Sequence, residues 1–209
     1  MFISMVQRRR GRPKGHSGQA PTLKQDEIKR VFRVAKSRPR FAARTEAVLA
    51  ISLYLGLRAK EIASLRYGDV FDGQNQVRDV LHLKASYTKG AKTRDVFLTA
   101  PRLRQVLREY AQGSNCWRLP DAPLFRSQKG GTLSPASMGR FLKQLYVEAG
   151  LPEASSHTGR RTFITSLAER GIDLKSISLL AGHANIRTTA IYVDANPVRL
   201  SRILADVTW

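Results

Sequence analysis

Apolar residues recur at helical spacing in the segment that follows Thr22. Ile28, Val31, Phe32 and Ala35 repeat at intervals of three and four. This period is typical of a helix with one buried face, and Thr22 stands where a capping residue would stand. The pattern therefore predicts an amphipathic helix that begins close to Thr22.

The segment 41–56 differs because its apolar residues lie on more than one helical face, which predicts a helix buried in the core. Gly56 is placed to end it, since glycine readily adopts the left-handed conformation of helix termini. A short helix in AKEIASLR follows. Later helices are predicted at 100–111, 135–149, 158–171, 173–182, 186–194 and 197–207.

Between residues 69 and 98 the period shifts toward two, as in strands. DVLHL and RDVFL are predicted to pair, with YTKGAKT as the turn between them. The expected fold class is therefore mainly α with a small antiparallel β-sheet. The expected organisation is a basic arm at 1–20 followed by one domain at 21–209.

The composition of the chain limits the kinds of molecule that the protein is expected to bind. The 209 residues include 36 Lys and Arg against 16 Asp and Glu, a net charge of +20, which favours DNA, RNA or an anionic membrane surface. No apolar run has transmembrane length, and MFISMV is too short for the core of a signal peptide. A single cysteine, Cys116, excludes an intramolecular disulfide and fits a reducing cytoplasm, and one cysteine with four histidines gives no recognisable zinc pattern.

The arm carries five basic residues and no acid: Arg8, Arg9, Arg10, Arg12 and Lys14. The sequence RGRPK within it resembles an AT-hook, in which a Gly-Arg-Pro core lies in a narrow A·T minor groove. A nonspecific basic tail is the alternative. Both interpretations predict that the arm contacts DNA.

Two arginine-containing motifs suit the binding of a phosphate, because a guanidinium fork can hold two phosphate oxygens and keeps its charge. Arg58 follows a predicted helix end, and Glu61 lies one turn further on, where it could orient Arg58. His157 and Arg160 are three residues apart and therefore share a helix face, whereas Arg161 points elsewhere. Considered alone, an arginine such as Arg58 is most often a solvated surface residue. The segment SSHTGRRTF could likewise be the basic start of a helix that faces DNA and has no catalytic role.

Two further motifs could supply a nucleophile and a proton donor. Tyr192 follows His183 by nine residues in GHANIRTTAIY, although a lone histidine or tyrosine is ordinarily a packed residue. Lys89 lies at the tip of the predicted hairpin, where a flexible lysine could protonate a leaving oxygen. Lys92 and Arg94 of the same hairpin are predicted to contact the DNA backbone.

Together these motifs resemble the tyrosine recombinase, or phage integrase, family over residues 45–195. GLRAKEI is similar to its first arginine box, TKGAKTRDVFL to its lysine hairpin, HTGRRTF to its His-x-x-Arg box, and LAGHANIRTTAIY to its last box. The resemblance implies metal- and ATP-independent DNA strand transfer through a 3′-phosphotyrosyl intermediate. It also implies this catalytic set: Arg58, Lys89, His157, Arg160, His183 and Tyr192.

The resemblance further implies the partners. These are double-stranded recombination sites, three other protomers in a tetramer assembled by exchange of the helix at 197–207, and accessory DNA-bending proteins. Docking of that helix on its own domain is the alternative. We expect a short chain of the fimbriae-switch invertase type, or a minimal integrase of a mobile element, without a separate core-binding domain.

Two other functions fit part of the sequence. Residues 169–192 can be interpreted as the helix-turn-helix of a non-catalytic regulator, which would leave Arg58, Lys89 and the His157–Arg160 pair unexplained. DNA relaxation of the type IB topoisomerase kind shares the tyrosine chemistry. The expected place of action in each case is the cytoplasm, on the nucleoid.

Overall fold

A computed structural model describes residues 20–88, 92–113, 119–127 and 130–192, together with residue 205. Within those ranges the chain is mainly helical, and no helix there is long and apolar enough to cross a membrane. The helices are α1 (Gln25–Lys36), α2 (Ala42–Tyr54), α3 (Ala59–Ser64), α4 (Tyr67–Val70), α5 (Pro101–Gly113), α6 (Pro135–Glu148), α7 (Thr158–Glu169), α8 (Leu174–Ala181) and α9 (Arg187–Ala190). The strands are β1 (Val80–Leu83) and β2 (Arg94–Phe97).

Helix α2 is the centre of the main core. The run 45–53 is buried on every side, as its apolar composition predicts, and α1, α5 and α7 pack around it. Gly56, at φ 60°, turns the chain just after the helix. Because α2 is fixed by packing on all sides, this turn and the start of α3 are held in place.

The two strands pair antiparallel, with Val80 opposite Phe97 and Leu83 opposite Arg94. Leu81 and Leu83 are buried in the main core, which explains the alternating pattern. The predicted fold class, mainly α with a small antiparallel sheet, is confirmed.

Helices α7 and α8 build a second, smaller core. Ile164 and Ala168 of α7 pack against Ile177 and Ala181 of α8. Asp173 caps α8 by accepting the backbone N–H of Ser176 at 2.9 Å. The end of α8 is therefore set by its own small core, beside the turn that follows α2.

Three local predictions differ from the structure. Helix α1 begins at Gln25 rather than near Thr22, because the carboxylate of Glu27 accepts the N–H of Lys24 at 2.8 Å and caps the helix there. The period-two segment is preceded by α4 and interrupted by a 3-10 turn at Ala85–Tyr87. Helix α9 is only four residues long within the described ranges.

Candidate active site

Arg58 stands at the N-terminal end of α3, directly after the turn at Gly56. Its backbone N–H donates to Oε2 of Glu61 at 2.7 Å, and its Nη1 donates to Oε1 of Glu61 at 3.0 Å. Its Nη2 donates to the carbonyl of Gly182 at 3.3 Å, across to the end of α8. The Arg58 side chain is 25% exposed, so part of it stays accessible to a ligand.

Arg160 lies almost fully buried on α7 and makes the same connection from the other side. Its Nη1 donates to the carbonyl of Gly56 at 2.7 Å, and its Nη2 donates to the carbonyl of Ala181 at 2.6 Å. Both arginines therefore link the turn after α2 to the C-terminal end of α8. Residues separated by more than 100 positions are brought to one place at the junction of the two cores.

Gly182 determines where His183 leaves α8. It ends the helix in the left-handed conformation, at φ 66° and ψ 49°. Nδ1 of His183 lies 2.8 Å from Oγ1 of Thr189 in α9, a hydrogen bond that fixes the orientation of the ring. The rings of His183 and Tyr192 are stacked at an interplanar angle of 21°, with their centroids 6.2 Å apart.

His157 occupies the position just before α7, three residues from Arg160. Burial lowers the pKa of His157, and the positive charges of Arg160 and Arg58 lower it further. Both positive charges therefore disfavour the protonated form of the imidazole.

The same arginines act on His183. Burial lowers the pKa of His183 to about 4, with contributions from the charges of Arg160, Arg58 and Arg94. Burial and the charge of Arg58 also lower the pKa of Arg160, to about 9, which leaves this guanidinium charged at neutral pH. The cluster at neutral pH thus contains fixed positive charge beside an uncharged His183, a combination suited to binding an anion.

Tyr192 is partly buried and packs against the small core, as Phe163 and Leu167 also do. The guanidinium carbon of Arg161 lies 5.6 Å from the centre of its ring, within the range of a cation–π contact. Nη1 of Arg161 donates to the carbonyl of Ala20 at 2.5 Å. Arg161, predicted from sequence as a DNA contact, therefore lies next to the candidate nucleophile.

Arg94 has contacts that its sequence neighbourhood does not suggest. Its Nη1 and Nη2 donate to Oε1 and Oε2 of Glu61 at 2.8 and 3.1 Å. Burial alone would raise the pKa of Glu61, but hydrogen bonds and charge from Arg94 and Arg58 outweigh it and lower that pKa. Arg94 thus forms an internal ion pair, and 11% of its side chain is exposed. No local signal in TKGAKTRDVFL points to a carboxylate 33 residues earlier.

Several predicted residues fall outside the described ranges: Lys89, the basic residues of the arm (Arg8, Arg9, Arg10, Arg12 and Lys14) and all of the predicted helix at 197–207 except residue 205. The base of the lysine turn is described. Oγ1 of Thr88 accepts the N–H of Lys92 at 3.1 Å and donates to the Lys92 carbonyl at 2.7 Å. Lys92 itself is exposed.

Comparison with known proteins agrees with this geometry. The chain superimposes on a crystal structure of XerA recombinase with a TM-score of 0.73 and 26% identity, covering 91% of this chain and 67% of that one. It also has the fold of XerH site-specific recombinase, with a TM-score of 0.70 and 24% identity over 93% of this chain and 55% of that one. The fold is that of a tyrosine recombinase catalytic domain.

The model of the phage integrase family matches residues 21–199, and the chain belongs to that family. The tyrosine recombinase XerC of Methylobacterium sp. (strain 4-46) is 37% identical over 171 residues, which is 81% of this chain and 51% of the relative. The chain thus spans about half the length of the XerC relative that it matches.

Proposed function

We propose that the protein is a site-specific DNA recombinase that breaks and rejoins DNA through Tyr192. The phenol oxygen attacks a backbone phosphorus, a bond from that oxygen to phosphorus forms, and the bond from phosphorus to the 5′-oxygen breaks. The products are a 3′-phosphotyrosyl bond and a free 5′-hydroxyl, and the reverse reaction rejoins a strand without ATP, because the covalent bond keeps the phosphodiester energy.

The observation that carries this proposal is the convergence of Arg58 and Arg160 beside His183 and Tyr192. Two fixed cations next to a phenol are what attack on a phosphodiester requires, since negative charge accumulates on the non-bridging oxygens in the transition state. The carbonyls of Gly56 and Ala181 hold Arg160 in advance, so little reorganisation is needed when phosphate binds.

The histidines complete the anion site in this proposal. A neutral imidazole still donates one N–H, so His157 and His183 can each hydrogen-bond a phosphate oxygen at neutral pH. The uncharged state of His183 follows from its pKa of about 4. The bound phosphate would be held by charge from Arg58 and Arg160 and oriented by the two rings.

Lys89 is proposed to protonate the departing 5′-oxygen. Its support is the pair of hydrogen bonds between Thr88 and Lys92, which bring the residues on either side of the lysine segment together next to β2, the strand that Arg94 joins to Glu61. A 5′-bridging phosphorothiolate leaves without a proton, so it should rescue Lys89→Ala but not Arg58→Ala. Rescue of both variants to the same extent would place the proton donor elsewhere.

The proposed substrates are two recombination sites in double-stranded DNA. Four protomers would hold these sites, with the helix at 197–207 of each protomer docking on a neighbour. Accessory proteins would bend the DNA. XerH is known in a post-cleavage complex with its difH substrate, which supports DNA as the ligand. The net charge of +20 supports contacts to the duplex from Lys92, Arg161 and the arm. Such a protein acts on the nucleoid in the cytoplasm.

The test is covalent capture. The protein is incubated in EDTA with sheared DNA from its own source, and DNA that stays bound in detergent is sequenced to find the sites. Nicked versions of those sites should then give a covalent complex and a 5′-hydroxyl end that polynucleotide kinase labels without prior phosphatase treatment. Tyr192→Phe should give neither product, and covalent capture by this variant would refute the assignment of the nucleophile.

A plasmid with two captured sites separates the remaining alternatives. Recombinant product supports site-specific exchange. Relaxation of a supercoiled plasmid without exchange would support topoisomerase-like activity, and specific binding with no covalent complex would support a regulator.

A further inference from the structure

Glu61 is a carboxylate with no exposed surface, held by two arginines. A buried charge is stable only when opposite charge and hydrogen bonds compensate for the lost water. The two arginines do not contribute equally. Arg94 places two guanidinium nitrogens on the two carboxylate oxygens, whereas Arg58 places one and adds its backbone N–H.

The paired contact from Arg94 is the stronger arrangement, because a guanidinium fork matches the two oxygens of a carboxylate. Arg94 is also the less exposed arginine, at 11% against 25% for Arg58. The guanidinium of Arg58 reaches past Glu61 toward the carbonyl of Gly182, at the junction where Arg160 also lies.

The balance of charge at this junction depends on Arg94. With Glu61 and Arg58 alone, the carboxylate would cancel the charge that Arg58 presents to a phosphate. With Arg94 added, the three groups carry a net charge of +1. Arg94 therefore offsets the negative charge of Glu61, which Arg58 would otherwise balance alone.

We propose that Arg94 is a positioning residue: it is the counter-ion of Glu61 and so leaves the charge of Arg58 available to the scissile phosphate. This inference rests on the proposed function for its catalytic consequence, but the ion-pair arrangement can be measured without DNA. It replaces the DNA-backbone contact predicted for Arg94 from sequence.

The experiment is a double-mutant cycle between Arg94→Met and Glu61→Gln, measured as single-turnover cleavage of a nicked site and as melting temperature. Removing one preorganised donor typically slows a reaction by about 10²–10³-fold. R94M keeps the Arg58 donor and only weakens its charge, so it should slow cleavage by a smaller factor of about 10 to 100. R94M/E61Q should cleave at least about tenfold faster than R94M, because the uncompensated carboxylate is gone. A double variant no faster than R94M overturns the role.

Melting temperature provides the DNA-free half of the cycle. R94M should melt at least about 5 °C lower than wild type, and R94M/E61Q should recover part of that loss. If R94M does not fold, recovery of a folded protein in the double variant supports the ion pair, and failure of both to fold overturns it. Arg94→Lys keeps the charge and should cleave faster than R94M, whereas equal rates would contradict a role based on charge.

Arg104→Met is the matched control. Arg104 donates to Oδ1 of Asp79 at 2.7 Å and to the carbonyl of Val77 at 2.8 Å, so its loss also removes an ion pair at the base of the hairpin. R104M should lower the melting temperature, and E61Q should not compensate for it. A wild-type protein that never forms a covalent complex refutes the proposed function, while the melting cycle still decides the ion pair.

Discussion

Gly182→Ala should be costly because the structure leaves no room for a side chain there. A Cβ at this position would lie 2.5 Å from Nη1 of Arg94, 2.7 Å from its Cδ and 2.8 Å from its Cζ. Arg94 cannot move away freely, since both of its terminal nitrogens are bound to the buried carboxylate of Glu61. The backbone φ of 66° is also unfavourable for alanine.

The expected cost has two parts. The left-handed conformation costs a non-glycine residue about 1–2 kcal/mol. Overpacking against Arg94 adds about 1–3 kcal/mol, for a total near 2–5 kcal/mol. Gly171→Ala is the matched control, because Gly171 has φ 81° but a Cβ added there would meet no atom of the described residues within 4 Å. It should lose only the conformational part, about 1–2 kcal/mol.

Urea unfolding of the wild type and the two variants gives the comparison. G182A should be less stable than G171A by about 1–3 kcal/mol, the packing part alone. G182A should also slow DNA cleavage more than G171A, because the glycine precedes His183. Equal destabilisation of the two variants, within about 0.5 kcal/mol, would show that Arg94 does not pack against Gly182.

Two other predictions concern packing and pH. Gly159→Ala should destabilise the protein by about 1–3 kcal/mol, because a Cβ there would overlap Oγ of Ser52. Gly139→Ala meets only ordinary contacts and should stabilise α6 by about 0.5–1 kcal/mol. If urea unfolding shows that both variants change the free energy of unfolding in the same direction, this prediction is contradicted. His183 has a folded pKa of about 4 against 6.5 as its ordinary value, so its contribution to stability is full above pH 6.5 and is lost as the pH falls toward 4. His183→Gln should remove this dependence of the unfolding free energy on pH between about pH 4 and 6.5. The change should be at most about 3 kcal/mol, and smaller because solvent screens the half-buried ring. An unchanged slope would refute the depressed pKa.

Much of the fold could be predicted because its signals are local. The apolar run at 41–56 and the alternating strands each report burial within a few residues, and the structure has a helix and two strands there. The predicted cap of α1 at Thr22 was wrong, because the helix is capped by the carboxylate of Glu27, which accepts the N–H of Lys24.

The site was predictable as a set of residue types, but its internal geometry was not. The spacing of three between Arg58 and Glu61 is visible in the sequence, and the two side chains do form an ion pair. The second ion pair, from Arg94, depends on the sheet meeting α3 across 33 residues, which no local pattern encodes. The carbonyls that hold Arg160 are likewise set by tertiary packing alone.

The most direct test of the account is to identify the residue that carries the DNA. The chain has six tyrosines. After covalent complexes are digested with trypsin and nuclease, mass spectrometry should find the nucleotide adduct on the peptide that contains Tyr192. An adduct on any other tyrosine, or on a serine or histidine, would contradict the central claim.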